Sequence, residues 1–234
     1  MKCACVSSIL ALTLCLSHFT GAADQAKASR PPQTGDPWAQ LAKFSATGSF
    51  PYYFGTSVAI SGDTVVVGAP YTNYGQAGLG EVYVYVKPKS GWANMTQAAV
   101  LYPSVSSSCD NFGASVSISG NTIVVGNPQN SFFSCLPSGA GVAYVYVEPA
   151  GGWRGSLTET AKLTASDGVV GDALGNSVSL SGNTIVAGAP SAFPSAGAAY
   201  IFVEPAGGWA SANQTAKLTS SDGQGGDLFV PLSP

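Results

Sequence analysis

"SISGNTIVVGNP" spans Ser117–Pro128, and the chain carries it in two further versions: "AISGDTVVVGAP" at Ala59–Pro70 and "SLSGNTIVAGAP" at Ser179–Pro190. In each version apolar and polar residues alternate up to a Gly-Asn or Gly-Asp pair, and a second apolar run follows. Alternation with period two is the pattern of a strand with one buried face. The Gly-Asn or Gly-Asp pair is a two-residue hairpin turn whose glycine takes positive φ. The closing proline cannot donate to a ladder and marks the end of the returning strand. The sequence therefore predicts one hairpin, repeated about every sixty residues.

The repetition extends beyond the hairpin. Trp38, Trp92, Trp153 and Trp209 are 54, 61 and 56 residues apart, and Gly68, Gly126 and Gly188 are 58 and 62 apart. A self-similar period of this size signals a repeat architecture. Each unit adds a third strand of the type "AAYIFVE" after a variable loop, and a fourth of the type "TAKLTAS" beyond "PAGGW". No helical periodicity interrupts them. Four antiparallel strands repeated radially make a β-propeller blade. A single blade cannot bury both of its faces, so the same apolar alternation must recur for neighbours to stack. The repeated Trp has two readings, packing between blades or onto the hairpin, or stacking against a carbohydrate, and packing is preferred.

Two short motifs bracket every hairpin. Phe54-Gly55 and Phe112-Gly113 precede it, with Leu174-Gly175 in the third copy. Gly68-Ala69-Pro70 and Gly188-Ala189-Pro190 close it, with Gly126-Asn127-Pro128 in the second. On these residues, across 38–229, the unit resembles the FG-GAP repeat, the blade of the integrin α-subunit propeller and of many exported bacterial proteins. The resemblance implies an all-β propeller. Its units fall at about 38–91, 92–152 and 153–208, with a partial unit at 209–234. That makes about three blades plus part of a fourth, an incomplete propeller. Open blade edges invite self-association.

Family members often carry a calcium loop after "GAP". Here those loops read "YTNYGQAGLG", "QNSFFSCLPSG" and "SAFPSAG" and hold no carboxylate, whereas a hard cation takes several oxygen ligands. The expectation is that no cofactor is bound. A second acidic pattern, "SDGVVGD" (Asp167, Asp172) and "SDGQGGD" (Asp222, Asp227), reads as an Asp-Gly turn or, less favoured, as a calcium pair.

Only 9% of residues are charged and the net charge is -3, which argues against nucleic acid and against a polybasic membrane patch. Residues 1–23 read as an export signal, with Lys2 before an apolar stretch and small residues at "TGAAD". A membrane anchor is the weaker reading, because the run falls short of the ~20 residues a span needs. Residues 24–37 are a linker, and the expected location is secreted, extracellular, with no membrane insertion. Cys109 and Cys135 then remain as an even pair, which reads as a disulfide in an exported chain, with two free thiols as the alternative and a two-cysteine metal site as a weaker one. Asn94 and Asn213 begin glycosylation sequons.

Catalysis finds little material. The sole histidine, His18, lies in the signal, so no Ser–His or Cys–His nucleophile forms. Carboxylates for sugar hydrolysis (Asp63, Asp110, Glu148, Glu159, Glu204) are scattered through the repeats. The post-"GAP" loops differ most between copies and carry Tyr71, Tyr74, Phe132, Phe133 and Phe193. Variable aromatic loops on a rigid scaffold suit binding. The equal alternative is that they fold back over the blade ends. The expected function is a non-catalytic binding or adhesion module for a protein or glycan ligand. A structural fragment without independent activity is the second reading, and a polysaccharide-active enzyme is the third.

Overall fold

The computed structural model describes residues 40–47, 53–71, 79–105, 110–129, 139–192 and 196–223. The chain divides into Met1–Leu41 and Ala42–Pro234, and every strand lies in the second unit. The signal and linker, Trp38, Cys109, Cys135, Tyr74, Phe132, Phe133, Phe193 and Asp227 lie outside the described residues.

Among the described residues all regular structure is strand. In chain order the strands are β1 (Phe44–Ser45), β2 (Ser57–Ser61), β3 (Thr64–Ala69), β4 (Glu81–Val86), β5 (Met95–Thr96), β6 (Ala99–Tyr102), β7 (Ser115–Ser119) and β8 (Thr122–Asn127). They continue as β9 (Val142–Val147), β10 (Gly155–Thr158), β11 (Ala161–Thr164), β12 (Ser177–Ser181), β13 (Thr184–Ala189), β14 (Ala198–Val203), β15 (Ala212–Asn213) and β16 (Ala216–Leu218).

Three antiparallel blades result. Blade 1 runs β2-β3-β4-β6, blade 2 runs β7-β8-β9-β11, and blade 3 runs β12-β13-β14-β16. Each opens on the predicted hairpin. Ser61 pairs with Thr64, Ser119 with Thr122 and Ser181 with Thr184. The turn glycines Gly62, Gly120 and Gly182 have φ of 55°, 59° and 56°, a conformation open to glycine because it lacks Cβ.

The connection between blades adds an unexpected element. The segment after the Trp does not lead directly into an outer strand. It first lays a short strand parallel to the outer edge of the preceding blade. β10 pairs with β6, and β15 with β11. β1 and β5 repeat the same parallel pairing. The repeat written in the sequence is thus offset from the blade in space: β16 lies beyond Trp209 yet completes blade 3.

Two buried clusters hold neighbouring blades together. One joins Val66, Val84 and Leu101 of blade 1 to Ile118, Ile123 and Tyr146 of blade 2. The other joins Val124, Val145 and Leu163 of blade 2 to Leu180, Ile185 and Phe202 of blade 3. A third, smaller cluster covers Tyr83 and Tyr85 of blade 1 with Phe44 and Phe54. Trp153 belongs to the first cluster and Trp209 to the second. The preferred reading of these two tryptophans as packing, here between blades, therefore holds.

Candidate functional site

The two bracketing motifs meet at one end of the blades and form a joint. Within a blade, the Gly55 N–H donates to the Gly68 carbonyl at 3.0 Å, Gly113 to Gly126 at 3.0 Å and Gly175 to Gly188 at 2.9 Å. Between blades, the Ser57 hydroxyl donates to the Gly113 carbonyl and the Ser115 hydroxyl to the Gly175 carbonyl, each at 2.8 Å. The approach leaves no room for a side chain. A Cβ on Gly126 would stand 1.9 Å from the Gly175 oxygen. The residue before each Phe or Leu is also constrained. Tyr53, Asn111 and Ala173 share φ near 60° (59°, 61° and 62°). Each accepts a bond at its carbonyl from the amide three residues on. Left-handed backbone at a non-glycine residue costs about 1 kcal/mol.

This joint is a rigid platform from which the variable loops depart. On it the rings of Tyr53 and Tyr71 meet edge to face, 4.9 Å between centroids. Tyr53 is 60% exposed. Burial, then the neighbouring Tyr53, pushes the Tyr71 hydroxyl above its ordinary pKa. Of the five aromatics read as a binding surface, Tyr71 is the one within the described residues.

Polar groups gather beneath the platform, and Glu81 and Asp172 are held by structural partners. Glu81 is buried and accepts the Tyr83 hydroxyl. Asp110 and Asp172 occupy the same repeat position and are both buried. Asp172 caps a turn by accepting the Val169 amide at 2.9 Å. Asn127, in place of the alanine of "GAP", is fully buried; its amide finds no partner of good hydrogen-bond geometry among the described residues, though it lies close enough to the Tyr144 phenol to act on it. Burial, then Glu159 and Asp110, pushes the Tyr144 phenol up to about 12.

The acidic pattern at 166–172 splits between two tasks. While Asp172 caps its own turn, Asp167 pairs with Lys217 at 2.5 Å and accepts the Tyr200 hydroxyl at 3.2 Å. The Lys217 ammonium holds the Asp167 carboxyl below the usual range. In the second copy, Asp222 accepts the Ser220 hydroxyl. The remaining carboxylates lie apart: Asp63 pairs with Lys87 at 3.3 Å on the exposed hairpin, and Glu148 and Glu204 follow β9 and β14. Among the described residues no three His, Cys, Asp or Glu side chains converge as metal ligands would.

Glu159 has a role that the sequence reading missed. It accepts from the Ser104 amide at 2.7 Å and the Ser104 hydroxyl at 2.5 Å, beyond the end of β6. Gln97 and Gln214 likewise accept the backbone amides of Thr47 and Ser166, at 3.0 and 2.9 Å, but donate their own NH2 to those residues' hydroxyls. Each stands two residues before the alanine that opens an outer strand (Gln97-Ala98-Ala99, Glu159-Thr160-Ala161, Gln214-Thr215-Ala216), and that recurrence is the available signal. The sequon asparagines take part in the same rim. Asn94 accepts the Lys43 amide at 2.8 Å, Asn213 accepts the Thr164 hydroxyl at 2.9 Å, and both are exposed.

With this geometry established, three comparisons bear on the chain. The model of the family described as FG-GAP repeat matches residues 38–85, 95–146 and 157–202. No curated protein matches the chain. Among solved structures, the computationally designed Ika4 protein is similar over 77% of this chain and 79% of its own, at 15% identity and a TM-score of 0.41. MPT-4, a mannose phosphorylase from Leishmania mexicana in complex with phosphate, is similar over 83% of this chain and 52% of its own, at 10% identity and a TM-score of 0.33.

Proposed function

The chain belongs to the FG-GAP repeat family, and from that premise we propose that it is an exported, non-catalytic ligand-binding module. It presents the loops of the joint end to a protein or glycan. The observation that carries this reading is the contrast at that end. The glycine–serine joint is the same from blade to blade, while the loops leaving it differ in length and aromatic content. Conserving a scaffold and varying its loops suits recognition, and an aromatic pair of an exposed Tyr53 and a half-buried Tyr71 suits the centre of a contact. The carboxylates are dispersed or engaged in turns and ion pairs, which supports a function without bound calcium and without catalysis.

The test is a glycan array and a binding screen against extracellular proteins, run with the wild type and with Tyr53→Ser/Tyr71→Ala. Binding by the wild type, weakened at least tenfold in the variant at unchanged melting temperature, supports the reading. Equal binding by both defeats the assignment to this end. A structural repeat segment without its own ligand is the second reading, favoured by the exposed apolar faces of blades 1 and 3.

A further inference from the structure

Blades 1 and 3 each leave open a face that the stack buries elsewhere. Val116 and Ile118 of β7 are buried against blade 1, yet their counterparts in β2, Val58 and Ile60, are 67% and 64% exposed. At the other end, Val124, Val145, Ala161 and Leu163 of blade 2 are buried against blade 3. Their counterparts are Val186 and Ile201, half-buried, and Ala216 and Leu218, exposed, Leu218 by 47%. The polar contacts of the joint are divided in the same way. Blade 3 carries Ser177 where Ser57 and Ser115 donate. Blade 1 carries the exposed Gly55 where Gly113 and Gly175 accept.

We propose that these faces are the two halves of one interface between copies of this chain. The open side of blade 3 in one copy docks on the open side of blade 1 in the next and continues the blade stack. The occupant is a second copy because both halves stand on this chain and match the two internal interfaces position for position. The contact is heterologous, so it either closes a ring or grows. Two copies supply six blades, a number at which propellers close.

A strand stands in the way. β1 lies parallel to β5 as β6 lies on β10 and β11 on β15, which is the place a docked β16 must take. Its stretch Ala42-Lys43-Phe44-Ser45 imitates Ala216-Lys217-Leu218-Thr219. Phe44 stacks on Tyr85 at 4.8 Å, and the Tyr85 hydroxyl donates to the Ser45 carbonyl at 3.0 Å. No antiparallel partner holds the other edge of β1 among the described residues, whereas β16 is paired with β14. Docking therefore exchanges β1 for the incoming β16, and β1 opposes association until it is displaced.

Sedimentation velocity over a concentration series tests this with the full chain, Ile60→Asp, Leu218→Asp and Phe44→Ser. Near-UV circular dichroism checks that each folds. The wild type should associate, each aspartate variant alone should remain monomeric, and their equimolar mixture should form 1:1 dimers that grow no further. Phe44→Ser, which loosens β1, should associate at a concentration at least tenfold lower than the wild type. The proposal is overturned if folded Ile60→Asp and Leu218→Asp fail to pair. It is also overturned if only one of them blocks association, or if both wild type and Phe44→Ser stay monomeric throughout.

Discussion

Ile60 and Ile118 occupy the same place in two copies of one hairpin, yet Ile60 is 64% exposed and Ile118 8%. Both strands have the same length, the same turn and the same pairing register. The difference shows that strand identity and burial have separate origins here. Alternation and the Gly-Asp or Gly-Asn turn fix the hairpin locally, whereas burial comes from a neighbouring blade. Stability in such an array approximates a sum of unit and nearest-neighbour terms, and an internal blade receives two neighbour terms.

The comparison breaks most severely at the joint. Gly126→Val would drive a side chain into the Gly175 carbonyl and the Ser115 hydroxyl. We expect a loss of roughly 4 kcal/mol or more, or failure to fold. Gly120→Ala, at a turn glycine with open space around it, should cost only about 1 kcal/mol through its positive φ. Urea unfolding of the two variants checks both figures, and equal losses would refute the joint as the structural centre.

Next in size is the isoleucine pair itself. Ile118→Ala should destabilise by roughly 2–4 kcal/mol, as buried aliphatic truncations do. Ile60→Ala should change stability by under ~0.5 kcal/mol. Comparable losses, measured at concentrations where the chain is monomeric, would mean that Ile60 is covered in solution.

The smallest effect lies on the rim. The Asp167 carboxyl is held below its ordinary value, first by Lys217. Its stabilisation is therefore present above the unfolded value of about 3.9 and is lost as pH falls through the lower folded value. The pair is partly exposed, so solvent limits it to under ~1 kcal/mol. Asp167→Asn should be slightly less stable than the wild type at pH 7, and the difference should vanish in strong acid. Denaturant melts at both ends of that range decide it, and a difference that persists in acid would contradict the ion pair as its source.

The hairpins, the blade count and the packing of Trp153 and Trp209 were legible in the sequence because they depend on alternation, turn glycines and one large repeated residue. The parallel strands β10 and β15 were not. "GSLT" and "AN" share no pattern, and what holds them is the free edge of the preceding blade. The left-handed positions were equally hidden, since Tyr53, Asn111 and Ala173 share a backbone shape and no side-chain chemistry. The clasp by Gln97, Glu159 and Gln214 was partly legible, as a recurring acceptor whose target lies about fifty residues away. The carboxylates were visible, but their partners were not: Asp167 meets Lys217 across 50 positions.

The offset between the written repeat and the spatial blade also imposes an order on synthesis. Blade 1 gains its fourth strand at Tyr102, but its fifth, β10, ends at Thr158. At ribosomal speeds of about 5–20 residues per second, the edge of β6 waits roughly 3–11 s for its cover. Blade 2 waits similarly for β15, so blades 1 and 2 each emerge unfinished and are sealed by a strand translated with the following unit.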